Sequence, residues 1–319
     1  MEEKQSNFSY QITNEDCLEL LSRLPDHSVD MVLCDPPYSI TRASWDKGLN
    51  WPEIWHELKR VVKPNGAKLF FTASLFHYHL VQSNFQEFRY RFIWAKNLAT
   101  NFLMANRMPL RKTEEIAVFF TKQPEYHPCI IDGYVRARHN YAPTRALWDC
   151  KLREINIPAR NKRYTTDLLE FKTASNDKRL HITQKPIDLL EFLIKTYSSE
   201  GDTILDFCMG SGSTGEACYH TKRHFIGCEL SPDFFTIAKT RLELLPYPDR
   251  LDAFIKSKPL KQLKLKAAQD AINEGGGQKM HEIYPPQTKG YTTLQICKIK
   301  LAQEENVHNL GMWKRLKYH

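Results

Sequence analysis

Asp35-Pro36-Pro37-Tyr38 sets a carboxylate, two prolines and an aromatic ring directly after the mostly apolar run Val29 to Cys34. Such a run is the pattern of a buried strand, and neither proline can donate a ladder hydrogen bond, so the strand must stop here. Pro36 fixes its own φ and pushes Asp35 toward extended geometry. The result is a rigid strand tip holding a carboxylate, exposed carbonyls and a flat ring in fixed relation. A planar polar ligand bearing an amino group suits that set. The carboxylate and the Pro36 carbonyl accept its hydrogens, and Tyr38 stacks on its face. A proline-bounded turn that merely contains Asp and Tyr would read the same, so the rest of the chain must decide.

A second constellation follows the apolar run Thr203-Ile204-Leu205-Asp206. Gly210-Ser211-Gly212-Ser213-Thr214-Gly215 has the composition of a glycine-rich turn leading into a helix. The next expected strand, His224 to Cys228, ends in Glu229, where an acidic residue can bind ribose hydroxyls. The glycine spacing is that of a dinucleotide fingerprint, so a nicotinamide enzyme is a natural rival. Asp206 sits where a pyrophosphate would approach, and it suits a cationic or amine-bearing nucleoside such as S-adenosylmethionine better.

Both tips need a sheet behind them, and the pattern supplies one. Tyr10 to Thr13 reads as a strand, and Asn14-Glu15-Asp16 offers caps for a helix through Leu24. Trp51, Ile54, Trp55 and Leu58 have helical spacing over Trp51 to Val62, and Lys63-Pro64-Asn65-Gly66 stops that helix. Ala67 to Thr72 is a buried strand, Ser74 to Asn84 a helix, and Phe88 to Trp94 and Ile116 to Phe120 are two more strands. Pro186 to Tyr197 reads as a helix. The fold class is α/β around a central sheet. After Pro246-Tyr247-Pro248, helices are expected over Leu260 to Asn273 and Thr292 to Glu304, separated by a glycine linker, with no chemistry assignable to them.

The net charge of +8 is uneven. Residues 122–179 carry twelve Lys and Arg against seven Asp and Glu, and residues 249–319 thirteen against seven, so the remainder is slightly acidic. In the first segment periodicity is poor, and tyrosines alternate with Arg136, Arg138, Arg145, Arg160, Lys162 and Arg163. Aromatics interleaved with cations suit phosphate contacts and base stacking. The eight cysteines are too sparse for a disulfide scaffold and include no CxxC pair. The acidic start argues against a secretory signal, and no apolar run approaches the roughly 18 residues of a membrane span. A reduced cytoplasmic protein without metal or membrane is expected.

Taken together, the motifs resemble the DNA amino-methyltransferases whose catalytic motif precedes the cofactor motif, over roughly Tyr10 to Leu245. Asp35-Pro36-Pro37-Tyr38 is similar to their catalytic tetrapeptide. His181-Ile182-Thr183-Gln184-Lys185-Pro186 resembles the segment whose Thr and Lys approach the cofactor carboxylate. Asp206 to Gly215 resembles the cofactor loop, with Asp206-Phe207-Cys208 where Asp-Pro-Phe is usual. Phe225 to Glu229 resembles the ribose-binding strand, and Asn14 to Cys17 the segment whose Asp meets the adenine.

The resemblance implies a Rossmann-like S-adenosylmethionine-dependent sheet in residues 1–121 and 180–248. A target-recognition insert would occupy residues 122–179 and an extension residues 249–319. It implies catalysis by Asp35 to Tyr38 on a flipped base. Cofactor contacts would come from Asp16, Cys17, Asp35, His181, Thr183 and Lys185 on one side. Asp206, Phe207, Cys208, Gly210, Ser211, Gly212, Ser213, Glu229 and Leu230 would supply the other. An Asp heading the tetrapeptide is the usual form for adenine N6, while Ser is commoner for cytosine N4. Double-stranded DNA is the expected partner, and a homodimer or restriction-system partner is left open. Two further readings stay open. A cytosine carbon-5 enzyme would use Pro128-Cys129 and Glu305-Asn306-Val307, although Cys129 precedes the cofactor loop. A non-catalytic nucleic-acid binder needs neither tip.

Overall fold

The computed structural model describes residues 8–38, 48–100, 102, 105–132, 162–173, 180, 184–257 and 260. Ten strands and seven helices alternate along them. In chain order they open with β1 (Tyr10–Thr13), α1 (Cys17–Arg23), β2 (Val29–Cys34), α2 (Trp51–Val61) and β3 (Val62–Thr72). There follow α3 (Leu75–Ser83), β4 (Phe88–Thr100), β5 (Arg111–Phe119), β6 (Ile130–Asp132), β7 (Lys162–Tyr164) and β8 (Leu168–Glu170). The last elements are α4 (Ile187–Tyr197), β9 (Thr203–Asp206), α5 (Ser213–Thr221), β10 (His224–Cys228), α6 (Pro232–Leu244) and α7 (Pro248–Ile255).

Eight strands form one sheet in the order β1-β10-β9-β2-β3-β5-β4-β8, and β6 pairs with β7 in a small separate ribbon. Within the large sheet β5 runs antiparallel to its neighbours β3 and β4, and the other pairings are parallel. The alternation along each strand explains why the sheet is covered twice. On β3, Leu69 and Phe71 face a core built with Leu189 and Leu193 of α4, Ala217 of α5 and Leu242 of α6. Phe70 between them faces the opposite core, with Leu20 of α1, Ile54 and Leu58 of α2 and Leu80 of α3. Period-2 alternation with both faces apolar requires helices on both sides.

The chain crosses from one half of the sheet to the other between β9 and β2, which pair through Met31–Ile204 and Val32–Leu205. Ligands of open α/β sheets lie at the carboxyl ends of strands beside such a crossing. Asp35 follows β2, Asp206 ends β9 and Glu229 follows β10, all at that edge.

Several boundaries differ from the sequence reading. β3 begins at Val62 rather than Ala67, β4 runs on to Thr100 and β5 starts at Arg111. β8 lies inside the stretch read as an irregular insert, yet it pairs with β4 and buries Leu169 in the main core. Beyond Pro248, Phe254 and Ile255 of α7 pack with Leu260 against Phe234 and Ile237 of α6. The helices expected over residues 260–273 and 292–304 lie outside the described residues, apart from Leu260. Among the described residues no helix is long and apolar enough to cross a membrane, and no group of three or more His, Cys, Asp or Glu could hold a metal ion.

Candidate active site

The β2 tip is built as its prolines require: the ladder stops at Cys34 opposite Phe70, and Asp35 projects beyond it. Asp35 is only 26% exposed, and its two oxygens are separately occupied. Oδ2 lies 2.7 Å from the Lys185 ammonium, and Oδ1 accepts a hydrogen bond from the Tyr38 hydroxyl at 2.6 Å. Burial pushes the Asp35 carboxyl up from its ordinary range, and the Lys185 charge opposes that shift. Burial likewise drives the Tyr38 phenol well above its usual range, which keeps it a hydrogen-bond donor. The Tyr38 ring stacks on Phe76 of α3, with centroids 4.9 Å apart and planes 21° from parallel.

Lys185, just before α4, is buried and also lies 3.3 Å from Glu114 Oε2 on β5. Its ammonium sits 5.0 Å from the centre of the Phe71 ring. Glu114 in turn pairs through Oε1 with Lys96 of β4 at 2.9 Å. Lys185, assigned by resemblance to the cofactor, lies here against the carboxylates of Asp35 and Glu114.

At the end of β9, Asp206 is buried and tied into the glycine-rich turn. Its Oδ2 accepts from the Thr214 hydroxyl at 2.7 Å, and its Oδ1 from the Cys208 amide at 3.2 Å. Burial pushes its carboxyl up to about 7 against both hydrogen bonds. Gly212 takes a left-handed conformation, φ +75°, as the N-cap of α5. A Cβ there would also meet the Ala238 Cβ of α6 at 3.1 Å, so a larger residue is doubly disfavoured. Gly215 lets α5 press on its neighbours, since a Cβ would come within 2.8 Å of Leu242.

Glu229 stands across the turn. Its Oε2 accepts the Gly210 amide at 3.0 Å and its Oε1 the Ser231 amide at 2.8 Å. Its carboxyl is raised by burial and held back by these amides. Asn14 donates through Nδ2 to the Glu229 and Leu230 carbonyls at 2.6 and 3.1 Å, bringing the start of α1 to this tip. Asp16 caps α1 by accepting the Leu18 amide at 2.8 Å. Behind the turn, the buried Arg241 of α6 donates to the Ser211 carbonyl at 2.8 Å and to Gln184 Oε1 at 3.0 Å.

The fold therefore gathers Asp16, Asp35, Lys185, Asp206, Gly210, Ser211, Gly212, Ser213 and Glu229 along one sheet edge. Cys17, the first residue of α1, is buried in the core, and the Phe207 ring is buried against Phe70, with centroids 6.2 Å apart. Phe207 has only backbone to offer a ligand. Cys208 is half-buried, whereas Leu230 is 64% exposed at the mouth of the edge. Lys162 and Arg163 are exposed on β7, in the separate two-stranded ribbon rather than the large sheet. His181, Thr183, Arg136, Arg138, Arg145 and Arg160 lie outside the described residues. Sequence reasoning missed Glu114, Lys96, Phe76 and Arg241. A buried charge in a strand or helix leaves no local pattern, and Phe76 reads as one more core residue of α3.

Acidic oxygens at Asp206 and Glu229 flank a turn whose glycines keep its backbone bare, and the Asp35 carboxylate stands one strand away at the tip of β2.

Known proteins resemble this chain over most of its length. The family model described as "DNA methylase" (N6_N4_Mtase) matches residues 29–240. The type II methyltransferase M.BglII of Bacillus subtilis is 28% identical over 273 residues, 79% of this chain and 73% of that protein. Of solved structures, M1.HpyAVI in complex with SAM superposes with a TM-score of 0.51 at 24% identity, over 73% of this chain and 100% of that one. The cytosine-N4-specific PvuII DNA methyltransferase does so at 0.53 and 17% identity, over 82% and 93%.

Proposed function

Because the chain belongs to the DNA methylase family whose model spans residues 29–240, we propose that it methylates N6 of an adenine extruded from double-stranded DNA. It is a DNA methyltransferase of the N6/N4 type, and S-adenosylmethionine is its methyl donor. When bound, that cofactor supplies an electrophilic methyl on a sulfonium. Asp206, Glu229 and the turn from Gly210 to Ser213 would hold it, together with Asp16 and Leu230; the family resemblance adds His181, Thr183 and Lys185, of which Lys185 pairs here with Asp35 and Glu114. Residues 1–121 and 180–248 would form the catalytic and cofactor-binding domain, to whose sheet β8 also belongs; residues 122–179 would read the DNA, and residues 249–319 would form an extension. A restriction–modification setting agrees with the type II relatives.

An exocyclic amine is a weak nucleophile because its lone pair is delocalised into the ring. Asp35 and the Pro36 carbonyl, accepting its two hydrogens, would localise that pair on nitrogen and aim it at the methyl. The work is positioning and electrostatic preorganisation, with no covalent enzyme intermediate. The base must leave the duplex to reach the tip, and Tyr38 backed by Phe76 offers it a stacking surface.

One observation carries the reading. A carboxylate has about four acceptor sites, and Asp35 uses one oxygen for Lys185 and the other for Tyr38. It is oriented from both sides and still has acceptor capacity for an amine. The adenine assignment rests on Asp, rather than Ser, at the head of the tetrapeptide. Unmethylated DNA incubated with protein and S-adenosylmethionine, digested to nucleosides and analysed by mass spectrometry, tests it. N6-methyladenine is expected. N4-methylcytosine alone would overturn the base, and no methylated nucleoside would overturn the activity.

A further inference from the structure

The β4–β5 hairpin overhangs the edge that carries Asp35. Glu115 pairs with Thr72, the last residue of β3, and the hairpin continues past it through Glu114 opposite Trp94 to Arg111 opposite Thr100. From this overhang Glu114 reaches Lys185 at 3.3 Å and Lys96 at 2.9 Å, while Lys185 reaches Asp35 at 2.7 Å. Four charges thus alternate in sign, Asp35, Lys185, Glu114, Lys96, from the catalytic tip into the hairpin. Side-chain exposure is 8% at Lys185, 18% at Glu114 and 3% at Lys96.

Stability alone does not explain such a row, since well-packed apolar residues often replace buried ion pairs without loss. Nor does strong hydrogen bonding at its centre, because Glu114 Oε2 is buried and its contact with Lys185 is long, at 3.3 Å, with coulombic attraction the larger part of it. An ammonium facing Asp35 alone would bind that carboxylate more closely and weaken it as an acceptor. Sharing the ammonium with a second carboxylate relieves this.

Resting on the function proposed above, we propose that Glu114 is a positioning residue for methyl transfer. It holds Lys185 between two carboxylates so that Asp35 stays oriented yet free to accept the substrate amine, and Lys96 anchors Glu114 in that place.

Among the described residues, the titratable groups facing Asp35 are Lys185 and Tyr38, Glu114 from β5, Cys34 on β2, and Asp206 with Cys208 from the end of β9. Glu114 raises the Asp35 carboxyl and Lys185 lowers it. Lys185 faces the Phe71 ring besides its two carboxylates, and Glu114 faces Lys96 besides Lys185. Removing the negative charge at Glu114 should therefore move the acid limb of kcat/KM for DNA to lower pH. Removing the positive charge at Lys96 should move it to higher pH.

The experiment measures methyl transfer against pH at saturating S-adenosylmethionine for wild type, Glu114→Gln, Glu114→Asp and Lys96→Met, with cofactor affinity by calorimetry. The expected result is opposite shifts in Glu114→Gln and Lys96→Met, with unchanged cofactor affinity. Glu114→Gln should lose on the order of tenfold in kcat from the weakened acceptor, and Glu114→Asp should recover part of it. A merely structural role would lower thermal stability without moving the limb. An unmoved limb in both charge variants, or cofactor affinity falling in step with kcat, would overturn the proposal. If Glu114→Gln does not fold, the upward shift in Lys96→Met decides it. A wild type that methylates no DNA would overturn the functional reading and this inference together, whereas an active wild type with unmoved limbs overturns this inference alone.

Discussion

Tyr38 donates its hydroxyl hydrogen bond to Asp35 Oδ1 at 2.6 Å, so ring and carboxylate at the β2 tip are one unit rather than two neighbours. The sequence points to the ring alone, for stacking. The structure adds that the hydroxyl orients the acceptor while Phe76 backs the ring. Tyr38→Ala should weaken binding of the extruded base by about 1–3 kcal/mol. Tyr38→Phe keeps the stack and loses the hydrogen bond. It should lower kcat by about tenfold, the kinetic equivalent of roughly 1.5 kcal/mol for a bond to a charged group, with KM for DNA little changed. Steady-state kinetics of the two variants separates these roles.

Asp206 gives a pH signature on the cofactor side. Burial raises its carboxyl to about 7, so the folded protein holds that proton more tightly than the unfolded chain does. Its contribution to stability is then complete below the ordinary carboxylate range, near 4, and lost as pH rises through about 7. Thermal melts of ligand-free protein between about pH 4 and 7 should show this loss, and Asp206→Asn should remove it. A cationic cofactor favours the ionised carboxylate, so binding near pH 7 should release a proton. Calorimetry in two buffers of different ionisation enthalpy should give different heats for wild type and equal heats for Asp206→Asn.

Arg241 joins the glycine-rich turn to the segment before α4 through Ser211 and Gln184, and lies 3.0 Å from Glu216. Arg241→Ala leaves Glu216 without its buried partner and the turn without its brace. It should destabilise the protein by about 3–5 kcal/mol in urea unfolding and weaken S-adenosylmethionine binding as well. Glu229→Ala, which frees the Gly210 and Ser231 amides, should weaken the cofactor with a smaller loss of stability, and excess cofactor should restore part of the activity.

The basic insert should act through counterion release. Neutralising Lys162 and Arg163, or Arg136, Arg138 and Arg145, should flatten the salt dependence of DNA affinity. The logarithmic slope should fall by about 0.9 for each phosphate that the variant no longer neutralises. Filter binding over a salt series reads it directly.

Strands β2 and β9 were legible in the sequence because they are short, largely buried and punctuated by prolines after β2 and glycines after β9. The overhanging ends of β4 and β5 were not. Beyond Ala95 and before Glu114 the hairpin is largely exposed, and exposed strand carries no apolar alternation to read. β8 was hidden for a different reason, as three residues with one buried side chain do not make a pattern. The motif residues were found because each couples a polar group to a local break in the chain. Lys96, Glu114 and Lys185 come from three distant segments, and only the fold brings them together.

The central claim is that Asp35 acts on the substrate amine and the β9–β10 half holds the cofactor. It is tested most directly by measuring S-adenosylmethionine affinity and single-turnover methyl transfer to DNA on the same preparation of Asp35→Asn. The account predicts affinity within a few-fold of wild type and transfer reduced by about a hundredfold or more, the range for loss of one preorganised electrostatic group. Transfer at the wild-type rate, or a loss of cofactor affinity equal to the loss of transfer, would contradict it.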